Sequence, residues 1–592
     1  MMAADAEETG GRTDPCAPPG ISLRRRGSDR RWRLRSVYLQ CYFLTIATIL
    51  GTGILGLPVT IAHAGMMPFL ISFLVGFCVQ ALLIYLFVEL LQKCQAMQLE
   101  SLKTGVAECI MMSPVNIQSP TFTDDEEEEE YEADHAAAAG LRGFGFLEPE
   151  VSSRGDTGLL QPHTVTLQEQ AENLQPNLYL LGCLFLSPPM SCAFSCILLF
   201  QFVSIGVSYV LAGSEACAAL LNVSHVYVIP AFTWILTLAI LLAHSIIQPV
   251  TSVLTFLKGI LLIITVAVTF VVGSEVGQQS SSDFSQMGKP FLMGTVALGG
   301  IVNVMPLLFS QISHDRMQIL WFRRAVLGGL ATCTLLNILW CWAVLHIVPQ
   351  TSSAPPSSGS PRPPSDHARL PSNISLEDSE KAGEIATIPL TKIIIQRYQS
   401  YWWVAELIQV FIAISVTVSF LVMGSAMKHT LDGLVSSLWA WRLQGLTEVW
   451  ERLFPKHHHL CSARSFVKGS VSLLGFGLIF IVSACDPRGF VVMLDKVVSF
   501  SLNTEVGLFV FIMLRESKEQ RFQHLPIPVP VGNCTFSFSW LLPTYFMFAV
   551  IYDVLQTLAE VFHYFPFHSL SEETRPLNLT GSATAANGTA SV

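Results

Sequence analysis

The sequence predicts an all-α membrane protein that crosses the bilayer many times, and three observations support this prediction. Hydrophobic residues make up 51% of the 592 residues and charged residues only 13%, whereas a soluble globular protein carries about 25% charged residues. Eleven apolar runs are each long enough to span a hydrocarbon core, which takes roughly 20 helical residues. Lys and Arg are concentrated in alternate connecting segments, as expected for runs that cross a membrane.

The eleven runs define one membrane domain, 38–562, between two terminal tails. The tails are an Arg-rich N-terminal segment, 1–37, and a C-terminal segment, 563–592. The first ten helices would form two five-helix halves, and the eleventh would be an extra C-terminal helix. The predicted helices cover 38–61, 68–91, 191–213, 228–247, 252–273, 290–312, 324–348, 401–427, 466–485, 489–513 and 541–562.

Charge and glycosylation sequons both predict which helix ends face the cytosol. Eight Arg residues lie in 1–37, and cytosolic segments carry the excess of Lys and Arg. We therefore expect a cytosolic N-terminus and, after eleven crossings, a luminal or extracellular C-terminus. This topology leaves the sequon at Asn533 in the cytosol and places four others on the luminal side, where glycosylation occurs. The predicted glycosylation sites are Asn222, Asn373, Asn578 and Asn587.

Two long segments between apolar runs have compositions typical of disorder. Segment 92–178 holds 16 acidic and 4 basic residues, with an unbroken acidic run at 124–130, and cannot bury enough apolar surface to fold alone. It would be a cytosolic loop. Residues 156–160 of this loop match an acidic-dileucine sorting motif, which would direct the protein to endosomes or lysosomes. The alternative location is the plasma membrane. Segment 349–400 begins Ser/Pro-rich and is predicted to be an extended luminal loop.

No sequence pattern indicates an enzyme, a metal site or a nucleic-acid-binding protein. The chain has no GxSxG elbow, P-loop or HExxH motif. Its 14 cysteines include no CxxC pair and no Cys/His spacing typical of zinc. There is no basic stripe with interleaved aromatic residues. We therefore expect no catalytic residue, cofactor or metal; a small solute and the lipid bilayer are the expected partners, and protein partners are not indicated.

A glycine- and proline-rich segment in the first apolar run points to a binding site. Segment 51–58, GTGILGLP, holds three glycines and a proline, which weaken a helix interior by about 1 and 3 kcal/mol per residue. In the sixth run, Gly299-Gly300 precedes Pro306. The spacing from Gly299 to Pro306 equals the spacing from Gly51 to Pro58 in the first run. Interrupted helices at matching positions of two halves are typical of inverted-repeat transporters. The alternative is that the glycines allow close helix packing.

Glu505 lies midway along the tenth apolar run. An ionisable residue at such depth is by default a functional hypothesis, here a proton relay. The alternative is a carboxyl group satisfied by a neighbouring polar group, for example Asn503.

The glycine-rich segment resembles the N-terminal signature of the amino acid/auxin permease family. Residues 51–65, GTGILGLPVTIAHAG, are similar to the family's G-[ST]-G-[IL]-L-x-[LM]-P pattern. Met305-Pro306, the segment 314–318 and the segment 414–418 resemble later family motifs. The resemblance covers about 38–91 and 190–513, and only its first motif is specific. The chain departs from the family at Ser419, where a proline is common.

The resemblance implies an inverted-repeat, leucine-transporter-type fold and secondary active transport of amino acids coupled to Na+ or H+. The alternative is a transporter-like amino-acid sensor, or a membrane scaffold, that signals through the acidic loop. The implied substrate-binding residues are Gly51, Thr52, Gly53, Ile54, Gly299, Gly300 and Asn303. The candidate ion-coupling residues are Ser415 and Thr417, which the resemblance implies, and Glu505.

Overall fold

The structure is a computed structural model of the chain, and it contains eleven helices long and apolar enough to cross a membrane within the residues it describes. Those residues fold into helices and turns, without a strand. The predicted all-α fold with eleven spanning helices is therefore confirmed. The described residues are 23–112, 176–242, 244–276, 281–351, 374–383, 385–397, 402–439, 463–485 and 493–564.

The eleven helices, numbered α1 to α11 along the chain, include every apolar run that the sequence predicts to span. Several extend past the apolar run, because a helix does not need to end where the hydrocarbon ends. Their bounds are Leu23–Thr60, Met66–Met112, Pro188–Leu221, His225–Leu242, His244–Val276, Gly288–Phe309, Arg316–Ile347, Trp402–Leu438, Ala463–Cys485, Lys496–Glu516 and Asn533–Glu560.

The helices divide into a buried centre and a periphery. The spanning parts of α1 and α6 are almost wholly buried, whereas most of α4, α9 and α11 is exposed. Most exposed residues of the outer helices are apolar; Leu242, Leu474 and Leu555 are 76%, 76% and 60% exposed. An apolar exposed surface of this extent fits lipid as the surrounding solvent. The chain is accordingly a multi-pass membrane protein.

Helix packing repeats between α1–α5 and α6–α10. Helix α1 packs on α7, and α6 packs on α2 in the corresponding way. Helix α5 packs on α1 and α8, just as α10 packs on α6 and α3, while α3 and α8 pack on each other. This correspondence is the one expected of two repeats of five helices. Helix α11 packs outside the repeats, against α6 and α10.

Helical structure extends into three segments that were predicted to be a tail or loops. Helix α1 begins at Leu23, within the predicted tail, and α2 continues to Met112, within the segment expected to be disordered. The predicted extended loop 349–400 contains two short helices, Leu376–Ala382 and Thr387–Arg397. The second of these forms because Leu390 and Ile394, one helical turn apart, are both fully buried, and it packs on α8. Residues 113–175, 352–373 and 565–592 lie outside the described parts of these segments.

Side-chain contacts hold a connecting segment at each end of the bundle. At the end predicted to be luminal, Glu380 accepts a hydrogen bond from Lys289 and lies 3.7 Å from the His63 ring. At the opposite end, the segment 517–532 crosses α2. Glu89 of α2 accepts hydrogen bonds from the Lys518 ammonium at 2.7 Å and the Val531 N–H at 3.1 Å. These contacts position the segments that close the two ends of the buried centre.

Candidate functional site

The glycine- and proline-rich segment lies inside α1, which continues as a helix to Thr60. The predicted interruption of the first helix is therefore wrong. Pro58 has no N–H, so the carbonyl of Ile54, four residues earlier, lacks its helical donor. The indole Nε1–H of Trp340 in α7 donates to that carbonyl at 2.9 Å. This cross-helix hydrogen bond satisfies the carbonyl within protein, as a membrane interior requires, and the helix stays unbroken.

Gly51 and Gly53 allow polar side chains from other helices to reach the α1 backbone. A Cβ atom at Gly53 would lie 2.6 Å from the Asn337 side-chain oxygen of α7. A Cβ atom at Gly51 would overlap Ser419 of α8 and lie 2.9 Å from the hydroxyl oxygen of Tyr209 in α3. Glycine is therefore required at both positions, because side chains of other helices lie too close to the α1 backbone for a Cβ atom. We call Gly51, Gly53, Tyr209, Asn337 and Ser419 the α1 polar site.

The matching segment of α6 is interrupted, but only by one residue. Gly300 separates Gly288–Gly299 from Ile301–Phe309 and keeps right-handed helical dihedral angles. A Cβ atom at Gly299 would lie 2.5 Å from Leu502, whereas one at Gly300 would come no nearer than 3.7 Å to Thr48. Gly299 is thus explained by packing against α10, and Gly300 retains space beside α1.

Lys258 of α5 joins the site through Ser419 and the α1 backbone. Its ammonium is fully buried and donates to the Ala47 carbonyl at 3.1 Å, the Ser415 carbonyl at 3.3 Å and Ser419 Oγ at 3.1 Å. No described Asp or Glu forms an ion pair with it. Three neutral oxygen atoms from α1 and α8 therefore surround one positive charge, an arrangement that resembles the coordination of a monovalent cation.

The two residues implied as cation ligands on α8 do not converge. The Ser415 hydroxyl is buried and has no hydrogen-bond partner, and its carbonyl accepts the Lys258 ammonium. The Thr417 hydroxyl donates to the Ala413 carbonyl of its own helix at 2.7 Å. Residues two apart project from a helix about 200° apart. Ser419, four residues after Ser415 and on the same face, is the α8 residue whose side chain contacts Lys258.

Several buried polar side chains in the bundle have no hydrogen-bond partner. Glu505 is fully buried, and neither carboxyl oxygen is hydrogen-bonded. Gln201 of α3 is its polar neighbour and is also unpaired. Asn503 does not satisfy Glu505, because its amide donates to Ser499. Unpaired buried polar groups are rare in proteins, so each of these side chains is a candidate for a functional role. The others near the helix centres include Asn303, Asn337 and Ser415.

The structure brings together only part of the set implied by the sequence. Gly51, Gly53 and Ser415 lie around α1 and α8, while Ile54 is buried and contributes a carbonyl already paired with Trp340. Asn303 is buried in α6 with both amide atoms unpaired. The side chain of Thr52 lies outside the described parts.

Sequence reasoning missed most of the side chains that approach α1. Lys258 had a detectable signal, because it is the only charged residue in the apolar run 252–273 and intramembrane charge indicates function. The sequence contains no comparable signal for Tyr209, Asn337 and Trp340. Polar and aromatic residues are frequent in such helices, and only the packing shows which ones face α1.

Among the predicted glycosylation sites, the structure describes only Asn222. It is exposed and ends α3 in the left-handed conformation, with φ at 54°. Asn373, Asn578 and Asn587 lie outside the described residues. Asn533, expected to stay unmodified, is exposed at the start of α11.

Comparison with known proteins gives only distant structural likeness. No protein-family model matches the chain, and no curated protein matches it. A crystal structure of the Eremococcus coleocola manganese transporter in complex with an aromatic bis-isothiourea substituted compound is similar, with a TM-score of 0.47, 9% identity, and coverage of 93% of this chain and 90% of that one. A mutant of that transporter gives a TM-score of 0.43, 9% identity, and coverage of 94% and 91%. Likeness at this level assigns neither a family nor a substrate.

Within the described residues, no group of three or more His, Cys, Asp or Glu side chains could hold a metal ion.

We predict that Trp340→Phe destabilises the protein because it leaves the Ile54 carbonyl without a donor. An unsatisfied buried acceptor costs about 1–3 kcal/mol. Pro58→Ala restores an N–H four residues after Ile54, so the same Trp340→Phe change should cost less in the Pro58→Ala background. Thermal unfolding of the four proteins in one detergent measures this coupling. An equal loss of stability in both backgrounds would show that the indole acts by packing alone.

Proposed function

We propose that the protein is a secondary active transporter of amino acids that works by alternating access around the α1 polar site. The observation that carries the proposal is the close approach of Asn337 and Tyr209 to glycines in the buried centre of α1. A site at this depth, formed where two five-helix repeats meet, is where inverted-repeat transporters bind their solutes. The resemblance of segment 51–65 to amino acid/auxin permeases supplies the substrate class.

The chemistry around α1 fits the head group of a neutral amino acid. Amide and hydroxyl groups both donate and accept hydrogen bonds, so Asn337 and Tyr209 can serve an ammonium and a carboxylate together. Asn303 of α6 offers a second unpaired amide. Ile54 of α1 and Met293 and Val302 of α6 are fully buried and add apolar surface to the two helices that carry these polar groups. A small zwitterion therefore gains hydrogen bonds here that a purely apolar solute does not.

Of the two coupling ions implied by the resemblance, we propose H+ rather than Na+. The Lys258 ammonium already donates to the oxygen atoms of Ala47, Ser415 and Ser419. A Na+ ion at the same oxygens would lie within a few ångströms of the Lys258 ammonium, and their repulsion is strong in a medium of low dielectric constant. Ser415 and Thr417 are therefore not proposed as Na+ ligands.

Glu505 is the carboxyl group that we propose carries the coupled proton. It is fully buried, its polar neighbour is Gln201 of α3, and it begins a π-helical turn, Glu505–Val510. Such turns inside α-helices are frequent at functional sites. Val506 and Leu502 pack α10 into the core, and Leu502 contacts the Gly299 position of α6. A change at Glu505 can thus reach the interrupted helix.

Uptake of labelled amino acids into proteoliposomes tests the transport proposal. We expect an inward H+ gradient, and not a Na+ gradient, to drive accumulation of at least one neutral amino acid. Gly53→Ala should reduce that uptake at least tenfold, because its methyl group meets the Asn337 amide. Gly477→Ala in α9 is the matched control, since a Cβ there meets no atom within 4 Å. Binding without flux in the wild type would contradict transport and favour an amino-acid sensor.

Replacement of Glu505 by Gln tests the proposed proton carrier separately. The variant should lose the stimulation by a pH gradient yet keep exchange of internal for external substrate, because exchange needs no net proton movement. Glu406→Gln is the control, because Glu406 is exposed near the start of α8. Unchanged stimulation by the gradient in Glu505→Gln would remove Glu505 from the mechanism. Equal loss of exchange and gradient-driven uptake would assign it a structural role instead.

A further inference from the structure

A cleft of about 810 Å³ opens between α1 and α7 at the end of the bundle predicted to be cytosolic. It is remote from the α1 polar site along the helix axis, because it begins beside Leu34, where α1 enters the predicted membrane span. Its walls are largely apolar. Leu39 and Trp321, from opposite walls, are 56% and 47% exposed. An exposed apolar cleft at the edge of the bilayer is accessible to lipid.

Charged groups of both signs line the same cleft. Arg35 comes from α1, Arg324 from α7, and Asp315 from the residue that precedes α7. Arg324 lies about 12 Å along the axis from the start of α7 at Arg316. Its guanidinium lies over the Trp321 ring, 5.3 Å from the centroid, and so reaches back toward the helix start and the membrane surface. The charged side chains thereby lie at the mouth of the cleft, near the membrane surface, and the apolar walls continue from there toward the membrane interior.

We propose that this cleft binds an anionic glycerophospholipid whose head group also carries an amine, as phosphatidylserine does. Arg35 and Arg324 would hold the phosphate and carboxylate, since guanidinium groups bind such anions in a planar, bidentate manner. Asp315 would repel a head group that is purely anionic but pairs with an ammonium. One acyl chain would follow the apolar walls along Leu39 and Met317.

The aromatic side chains support a position at the membrane surface. The Tyr38 and Trp321 rings stack across the cleft, with centroids 6.4 Å apart, and Tyr and Trp are enriched where lipid head groups meet the hydrocarbon. The Tyr42 hydroxyl, deeper in the cleft, is paired with Thr332 at 2.9 Å. Polar recognition is therefore confined to the mouth, as an amphiphile requires. This site does not depend on the proposed transport activity.

Native mass spectrometry of the full-length protein, titrated with single lipids in a non-ionic detergent, tests the proposal. We expect phosphatidylserine to bind more tightly than phosphatidylglycerol, which lacks the amine, and both to bind more tightly than phosphatidylcholine. Arg35→Gln and Arg324→Gln should each weaken phosphatidylserine binding about fivefold, the effect of one basic residue near an anionic lipid. Asp315→Asn should abolish the preference for phosphatidylserine over phosphatidylglycerol; its side chain caps no helical N–H, so folding is spared.

Two further variants separate this site from general surface charge. Arg323 carries the same charge at the same depth, but its guanidinium lies over Tyr85, 4.3 Å from the ring centroid, and does not line the cleft. Arg323→Gln should leave lipid binding unchanged. Ala325→Trp fills the cleft without altering charge and should reduce binding at least fivefold. Equal losses in Arg323→Gln and Arg324→Gln, or full binding by Ala325→Trp, would overturn the proposal, as would equal binding of soluble glycerophosphoserine.

Discussion

The Lys258 ammonium joins three helices at the buried centre of the bundle, and the arrangement of that centre depends on it. It donates to the Ala47 carbonyl of α1 and to the Ser415 carbonyl and Ser419 hydroxyl of α8. A membrane interior offers no water to satisfy a charge or a backbone group, so partners must come from protein. The positions of α1, α5 and α8 relative to one another are therefore constrained by one side chain.

The same constraint explains the glycines and the proline of α1. Ser419 can reach the α1 backbone only because position 51 lacks a Cβ atom, and Asn337 can do so only because position 53 lacks one. Pro58 removes an N–H from the helix, and Trp340 supplies the replacement. The composition of this segment suggests a broken helix. The structure shows an intact helix, because side chains from neighbouring helices fill the space at the glycines and supply the hydrogen-bond donor that proline removes. The proposed mechanism and the packing therefore depend on the same residues.

Apolar run length was sufficient to predict eleven helices, because lipid imposes that pattern directly on the sequence. The five-plus-five arrangement was predicted from the matched glycine and proline positions of the first and sixth runs and from the family resemblance. The interruption of α1 was wrongly predicted, since propensity counts the lost hydrogen bond and not the donor 286 residues away along the chain. The two helices between Leu376 and Arg397 were missed because a Ser/Pro-rich beginning obscured an amphipathic end. Tyr209 and Asn337 could not have been identified without the packing that turns them toward α1.

Equilibrium binding of radioactive Na+ to the purified protein tests most directly whether Lys258 takes the place of a bound cation. The wild type should bind no Na+ saturably, because the ammonium already engages the Ala47, Ser415 and Ser419 oxygens. Saturable binding of one Na+ per chain that Ser419→Ala abolishes would contradict this account. It would place a Na+ ion at the junction of α1 and α8 and require a different position for Lys258.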